Sequence, residues 1–233
     1  MSGSLWSGVP TETSVVPLNA KPGATAAATA LTMVMNKTLR FRVLGDSLAA
    51  GVGCTRVEQS IGHLLANTLR AAGHAVALGV HAVPGARSAD LEPQVRAAVR
   101  GGTDLALIVI GTNDLTRFTP PAVGARLLHE AVAGLTRAGA RTVVVTAPDL
   151  GVLAHVPPAF RDAVSHASRL YANAQAAAAT IAGGTVAHVG PEVFARFASD
   201  ERLFSADRFH PSAAGYALIA EALTPHLLAA TAG

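Results

Sequence analysis

Three residues far apart in the chain carry side chains that could together activate a hydroxyl group. Ser47 stands in "VLGDSLAAG", and Asp207 and His210 stand three residues apart in "SADRFHPS". A serine hydroxyl is a weak nucleophile until a base takes its proton. A histidine does this near neutral pH once an acceptor on its other ring nitrogen fixes the tautomer. Asp207 can supply that acceptor. Alone, the Asp–His pair reads equally well as a surface salt bridge or a fragment of a metal site, and Ser47 as a helix cap. A carbonyl attacked by Ser47 would need donors for the oxyanion that develops. The candidates are the backbone N–H groups of Ser47 and Gly85 and the side-chain amide of Asn113.

These residues need a frame, and the hydrophobic pattern describes one. Apolar runs at 39–45, 74–83, 104–111, 141–148 and 185–190 read as strands. Between and after them, helical spacing covers 58–73, 88–102, 122–139, 161–184 and 212–228. Strands alternating with helices predict an α/β domain, a five-stranded parallel sheet sandwiched between two helical layers. Sites in such sheets lie at the carboxyl ends of the strands. Asp46–Ser47, Pro84–Gly85, Thr112–Asn113 and Pro148–Asp149 all fall at such ends, and the Asp207/His210 loop follows the fifth strand.

Four of these segments resemble the GDSL, or SGNH, family of esterases and lipases. The blocks are "VLGDSLAAG", "AVPGARS", "VIGTNDL" and "DRFHPS", in family order and over roughly residues 39–230. The resemblance implies the flavodoxin-like three-layer fold of that family, with no large lid domain. It implies Ser47 as nucleophile, His210 as base, and Asp207 as the acid that orients it. Ser47, Gly85 and Asn113 would form the oxyanion hole, and no metal or organic cofactor would be required. One departure is "HAVP" before Gly85, which makes His81 and Pro84 candidates to reshape that side of the site. The expected reaction is hydrolysis of short-chain carboxylic esters through an acyl-enzyme. An acyltransferase, a carbohydrate or lipid deacylase, and a noncatalytic binding module on the same fold remain as alternatives.

Expected substrate contacts are Asp46, Phe118, Leu153 and Phe209, with Val156, Phe160 and Phe204 as further apolar residues near the site. Asp46 is also expected to accept hydrogen bonds from loop N–H groups. Asp162 and His166 fall inside a helical pattern and read as solvated. Cys54 reads as a small buried thiol, and the remaining histidines as surface or structural groups.

Composition limits the alternatives. Half of the 233 residues are hydrophobic and 14% are charged, with a net charge of +3. Only Lys21 and Lys37 of the 18 basic residues are lysines, and the arginines are scattered without interleaved aromatics. That is not a nucleic-acid footprint. With one cysteine, Cys54, no intramolecular disulfide can form. This favours the cytoplasm and leaves export open. No unbroken apolar run reaches ~18 residues, so no membrane-spanning helix is expected. No G-x-S-x-G elbow surrounds Ser47. The "GVG" at 51–53 lacks the rest of a dinucleotide loop, and "HE" at 129–130 lacks a second histidine. Residues 1–38, with an apolar stretch at 23–35, read as an extension ahead of a single domain spanning 39–233.

Overall fold

A computed structural model describes residues 38–232. The expectations for the N-terminal extension lie outside these residues. Five strands form one parallel sheet in the order β2-β1-β3-β4-β5, as expected. They are β1 Leu39–Gly45, β2 Val76–Val80, β3 Leu105–Val109, β4 Arg141–Val145 and β5 Thr185–Ala187. β1 lies between β2 and β3, with Val43 opposite Val80 on one side and Leu107 on the other.

β3 shows why an unbroken apolar run becomes a central strand. Successive side chains point to opposite faces, and every residue of β3 is buried. Leu105, Leu107 and Val109 join a core with Leu65, Leu69, Leu223 and Leu227. Ala106 and Ile108 join a second core with Leu91, Leu128, Val132 and Leu135. Fully burying one such side chain contributes ~1.5–3 kcal/mol, so the two-sided pattern strongly disfavours a polar residue anywhere in β3. At the amino ends of the strands, away from the site, the Arg40 guanidinium makes two bonds of 2.7 and 2.8 Å to Asp104 and ties β1 to β3.

The helices are α1 Ser47–Ala50, α2 Ile61–Ala71, α3 Leu91–Arg100, α4 Thr112–Thr116, α5 Pro121–Arg137, α6 Arg161–Ile181, α7 Pro191–Ser199 and α8 Ala213–Ala232. Three of them go beyond the helical spacing read from the sequence. α1 and α4 are single turns directly after β1 and β3. α7 begins with Pro191, whose fixed φ and missing N–H suit a first helical position. α7 buries Val193 and Phe197, four residues apart on one face.

α8 bears on the expectation of no spanning helix without deciding it. It has 20 residues and a window of mean hydropathy 1.2, long and apolar enough to cross a membrane by those measures alone. Glu221 and His226 interrupt the apolar run without lowering the average below that level. One face of α8, with Tyr216, Ile219, Ala220, Leu223 and Leu227, packs into the first core.

Candidate active site

β1 delivers Ser47 to the carboxyl edge of the sheet. Gln94 of α3 clamps the residue just before the turn: its Oε1 accepts from Gly45 N–H (2.7 Å) and its Nε2 donates to Gly45 C=O (3.0 Å). Gln94 is a site residue that sequence reasoning misses. Its signal is a polar residue in the apolar stripe Leu91, Val95, Ala98. Asp46 then caps α1 by accepting from Leu48 N–H at 3.0 Å. Ser47 is the first residue of α1 and is largely buried.

The Ser47 hydroxyl lies 2.9 Å from His210 Nε2. On the other side of the ring, His210 Nδ1 lies 2.6 Å from Asp207 Oδ2. The loop itself fixes Asp207. Its Oδ1 accepts from the Ser205 hydroxyl (2.8 Å) and from the N–H groups of Phe209 and His210 (both 2.9 Å). Burial alone would raise the Asp207 carboxyl. The bonds from His210, the two backbone N–H groups and Ser205 outweigh it and hold the pKa below the ordinary carboxylate value. Arg208 makes the turn in the left-handed region at φ 55°. The edge of the Phe209 ring stands against the imidazole, with centroids 5.0 Å apart. The Tyr216 hydroxyl of α8 donates to Val52 C=O at 2.8 Å, joining the segment after His210 to the loop after Ser47.

Gly85 adopts φ 82°, which favours glycine, although a β-carbon there would meet nothing within 4 Å. Backbone conformation, not contact with another part of the chain, therefore accounts for this glycine within the fold. Among the described residues, the N–H groups of Ser47 and Gly85 have no acceptor. Asn113 is the second residue of α4, and its Nδ2 donates to Ala86 C=O at 3.0 Å. A carboxamide has two N–H donors, so one remains. Pro84 and His81 line a cleft of about 510 Å³ together with Gly85, Asp90 and Gln94. The His81 pKa is lowered by burial and then by Arg42, which favours the neutral ring.

A separate cavity of about 100 Å³, walled almost wholly by apolar side chains, is lined by chain neighbours of Ser47 and His210 but by neither of those two residues. Leu48, next to Ser47, and Phe209 and Pro211, either side of His210, reach into it. Leu153 and Phe204 also line it, and Val193 and Phe197 of α7 add a further wall.

Other expected contacts lie elsewhere. Phe118 is 92% exposed and Phe160 61% exposed, and neither lines the cavity. Phe118 lies in the loop before α5 at φ 55°, and Phe160 ends a short 3-10 turn directly before α6. Val156 is also outside the lining. Asp46 is corrected as a substrate contact because it is only 1% exposed. It sits beneath α1, where burial pushes its carboxyl up to about 6. Its Oδ2 has no partner among the described residues. Cys54 is half-buried, and burial raises its thiol pKa, the opposite of nucleophile activation. Asp162 and His166 are exposed on α6.

The chain is 40% identical over 190 residues to a GDSL-like esterase of Mycobacterium tuberculosis. The match takes in 79% of this chain and 60% of that protein, so the chain spans less than two thirds of the relative's length. Its fold is similar to that of TesA, with TM-score 0.68 and 22% identity over 82% of this chain and 99% of that one. It is also similar to the psychrotrophic esterase EstA from Pseudoalteromonas sp., in a structure inhibited by monoethylphosphonate, with TM-score 0.66 and 18% identity over 83% of this chain and 99% of that one. The profile of the GDSL-like lipase/acylhydrolase family matches residues 43–218, running from β1 into α8 and taking in Ser47, Gly85, Asn113, Asp207 and His210, and the chain belongs to that family.

Proposed function

We propose that the protein hydrolyses carboxylic esters with short acyl chains through a serine-bound acyl intermediate. One observation carries this reading: the unbroken line from Ser47 Oγ to His210 Nε2 (2.9 Å) and from His210 Nδ1 to Asp207 Oδ2 (2.6 Å). In the first step Ser47 Oγ bonds to the carbonyl carbon and its proton passes to His210 Nε2. The negative oxygen is held by the N–H groups of Ser47 and Gly85 and the second N–H of Asn113. The carbon–oxygen bond of the leaving alcohol then breaks, and His210 returns the proton to that alcohol. Water repeats the sequence and frees the acid. Asp207 keeps the imidazole in the required tautomer.

The apolar cavity lined by Leu48, Phe209 and Pro211, the chain neighbours of Ser47 and His210, supports an acyl group as the part of the substrate held there. Its volume of about 100 Å³ supports a short one. Two measurements test this reading. Covalent labelling by an organophosphorus reagent is expected on Ser47, and a p-nitrophenyl ester series is expected to lose kcat/KM well before twelve-carbon acyl groups. Labelling elsewhere overturns the nucleophile assignment, and rates climbing with chain length overturn the short-acyl assignment.

A further inference from the structure

Resting on the proposed oxyanion hole, we infer that Ser88 and Asp114 are its positioning residues: they bridge the two loops that supply Gly85 and Asn113. Those loops follow β2 and β3, which are not neighbours, because β1 with Ser47 lies between them. The proposed donors therefore approach the nucleophile from opposite flanks, and the sheet itself does not hold one loop to the other.

The bridge passes over that gap. Asp114 Oδ2 accepts from both the backbone N–H of Ser88 (2.9 Å) and the Ser88 hydroxyl (3.1 Å). Asp114 directly follows Asn113, and Ser88 stands three residues after Gly85. A third bond, from Asn113 Nδ2 to Ala86 C=O at 3.0 Å, runs in parallel. Ser88 and Asp114 are only 2% and 1% exposed. A buried carboxylate keeps a fixed place where its hydrogen bonds are made and water cannot substitute. Asp114 also lies in the first turn of α4, a favourable end for negative charge. By holding α4 against the Gly85 loop, the bridge orients the Asn113 amide so that one N–H goes to Ala86 and the other is left for the oxyanion. Neither Ser88 nor Asp114 reaches the reacting atoms in this assignment.

A kinetic cycle separates this role from plain structural support. Ser88→Ala removes the hydroxyl and leaves the backbone N–H bond. A misplacement of about 1 Å costs on the order of 10²-fold, so losing one of the two Ser88 bonds is expected to lower kcat about 10-fold with KM nearly unchanged. Asp114→Asn keeps an acceptor oxygen for Ser88 and is expected to retain most of kcat. In an Asn113→Ala background, Ser88→Ala is expected to add much less than it costs alone, because one of the two donors it positions is gone. Asn113→Ala and Ser88→Ala losses that multiply overturn the proposal, as does a Ser88→Ala variant with lower melting temperature and unchanged kcat per folded molecule. If Asn113→Ala alone keeps full kcat, the oxyanion assignment falls and the bridge role falls with it. That outcome is distinct from multiplying losses, which overturn the bridge alone.

Discussion

Gly53 and Pro211 meet so closely that a β-carbon on Gly53 would fall 2.4 Å from the Pro211 carbonyl oxygen. The same atom would stand 3.2 Å from His210 Cβ. The loop after Ser47 and the residue after His210 are thus in backbone contact, close to the 2.9 Å Ser47–His210 pair. Gly53→Ala is expected to separate the two loops and lower kcat at least 10-fold, given the steep cost of misplacement. Gly73→Ala is the control: Gly73 also has positive φ, at 95°, but a β-carbon there meets nothing within 4 Å. It should cost stability through backbone strain and leave kcat alone. Equal kcat losses in both variants would refute the contact argument.

Asp207 makes four hydrogen bonds, three on Oδ1 and one on Oδ2. Asp207→Asn can keep the Oδ1 set while turning an N–H donor toward His210 Nδ1. The imidazole then favours the tautomer with the proton on Nε2, where it cannot accept from Ser47. A loss in kcat on the order of 10³–10⁴-fold is expected, similar to the serine-protease case, with the melting temperature little changed. A variant that folds and turns over normally would show that His210 is oriented by another group.

Asn113→Ala is expected to lower kcat on the order of 10²-fold, the cost of losing one oxyanion donor, with KM nearly constant. Its bond to Ala86 means that some thermal stability will be lost too. The split between kcat and KM, not melting temperature, is therefore the decisive readout. Thr112→Ala, one residue earlier on α4, should leave kcat unchanged. A normal kcat for folded Asn113→Ala would remove it from the oxyanion hole.

Asp46 ties stability to pH with a definite sign. Its folded-state pKa of about 6 lies above the ordinary 3.8, because burial opposes its charge. Between those values the folded protein holds the proton and the unfolded chain has released it. Stability therefore falls as pH rises through this window and stays lower above it. The gap corresponds to roughly 3 kcal/mol at most. Asp46→Asn removes the charge and keeps an acceptor for Leu48 N–H. Its melting temperature relative to wild type should rise between pH 4 and pH 7 and then level off. A difference independent of pH would show that Asp46 ionises freely in the folded state.

The centre of the sheet was legible because β3 and β4 are buried on both faces and read as unbroken apolar runs, β3 above all. Strand ends read too long where the chain keeps strand-like pairing without regular geometry. Beyond β2, for example, His81 and Val83 N–H still donate to Val43 and Gly45 C=O. The first three site blocks were legible because each falls just after a strand, whereas the fourth, around Asp207 and His210, lies beyond α7 and just before α8. The cavity was only partly legible. Leu153, Phe204 and Phe209 line it, whereas Phe118 and Phe160 face solvent, because an apolar residue in a loop does not encode which way it points. Its deeper walls come from Ile219 and Leu223, which look like ordinary core positions of α8. The supports Gln94, Ser88 and Asp114 escape a sequence reading because each acts through a bond to a residue distant in the chain.

The Ser47–His210 bond joins residues 163 positions apart. At a synthesis rate of ~5–20 residues per second, ~10–30 s separate the two residues as they emerge from translation. Near the end of that interval a nascent chain holds the proposed nucleophile, the proposed oxyanion donors and all five strands, but not the proposed base. Its serine hydroxyl stays chemically quiet while the sheet assembles. The turn-and-helix segment from Asp207 onward therefore supplies the proposed base only after the five strands and the proposed oxyanion donors have been made.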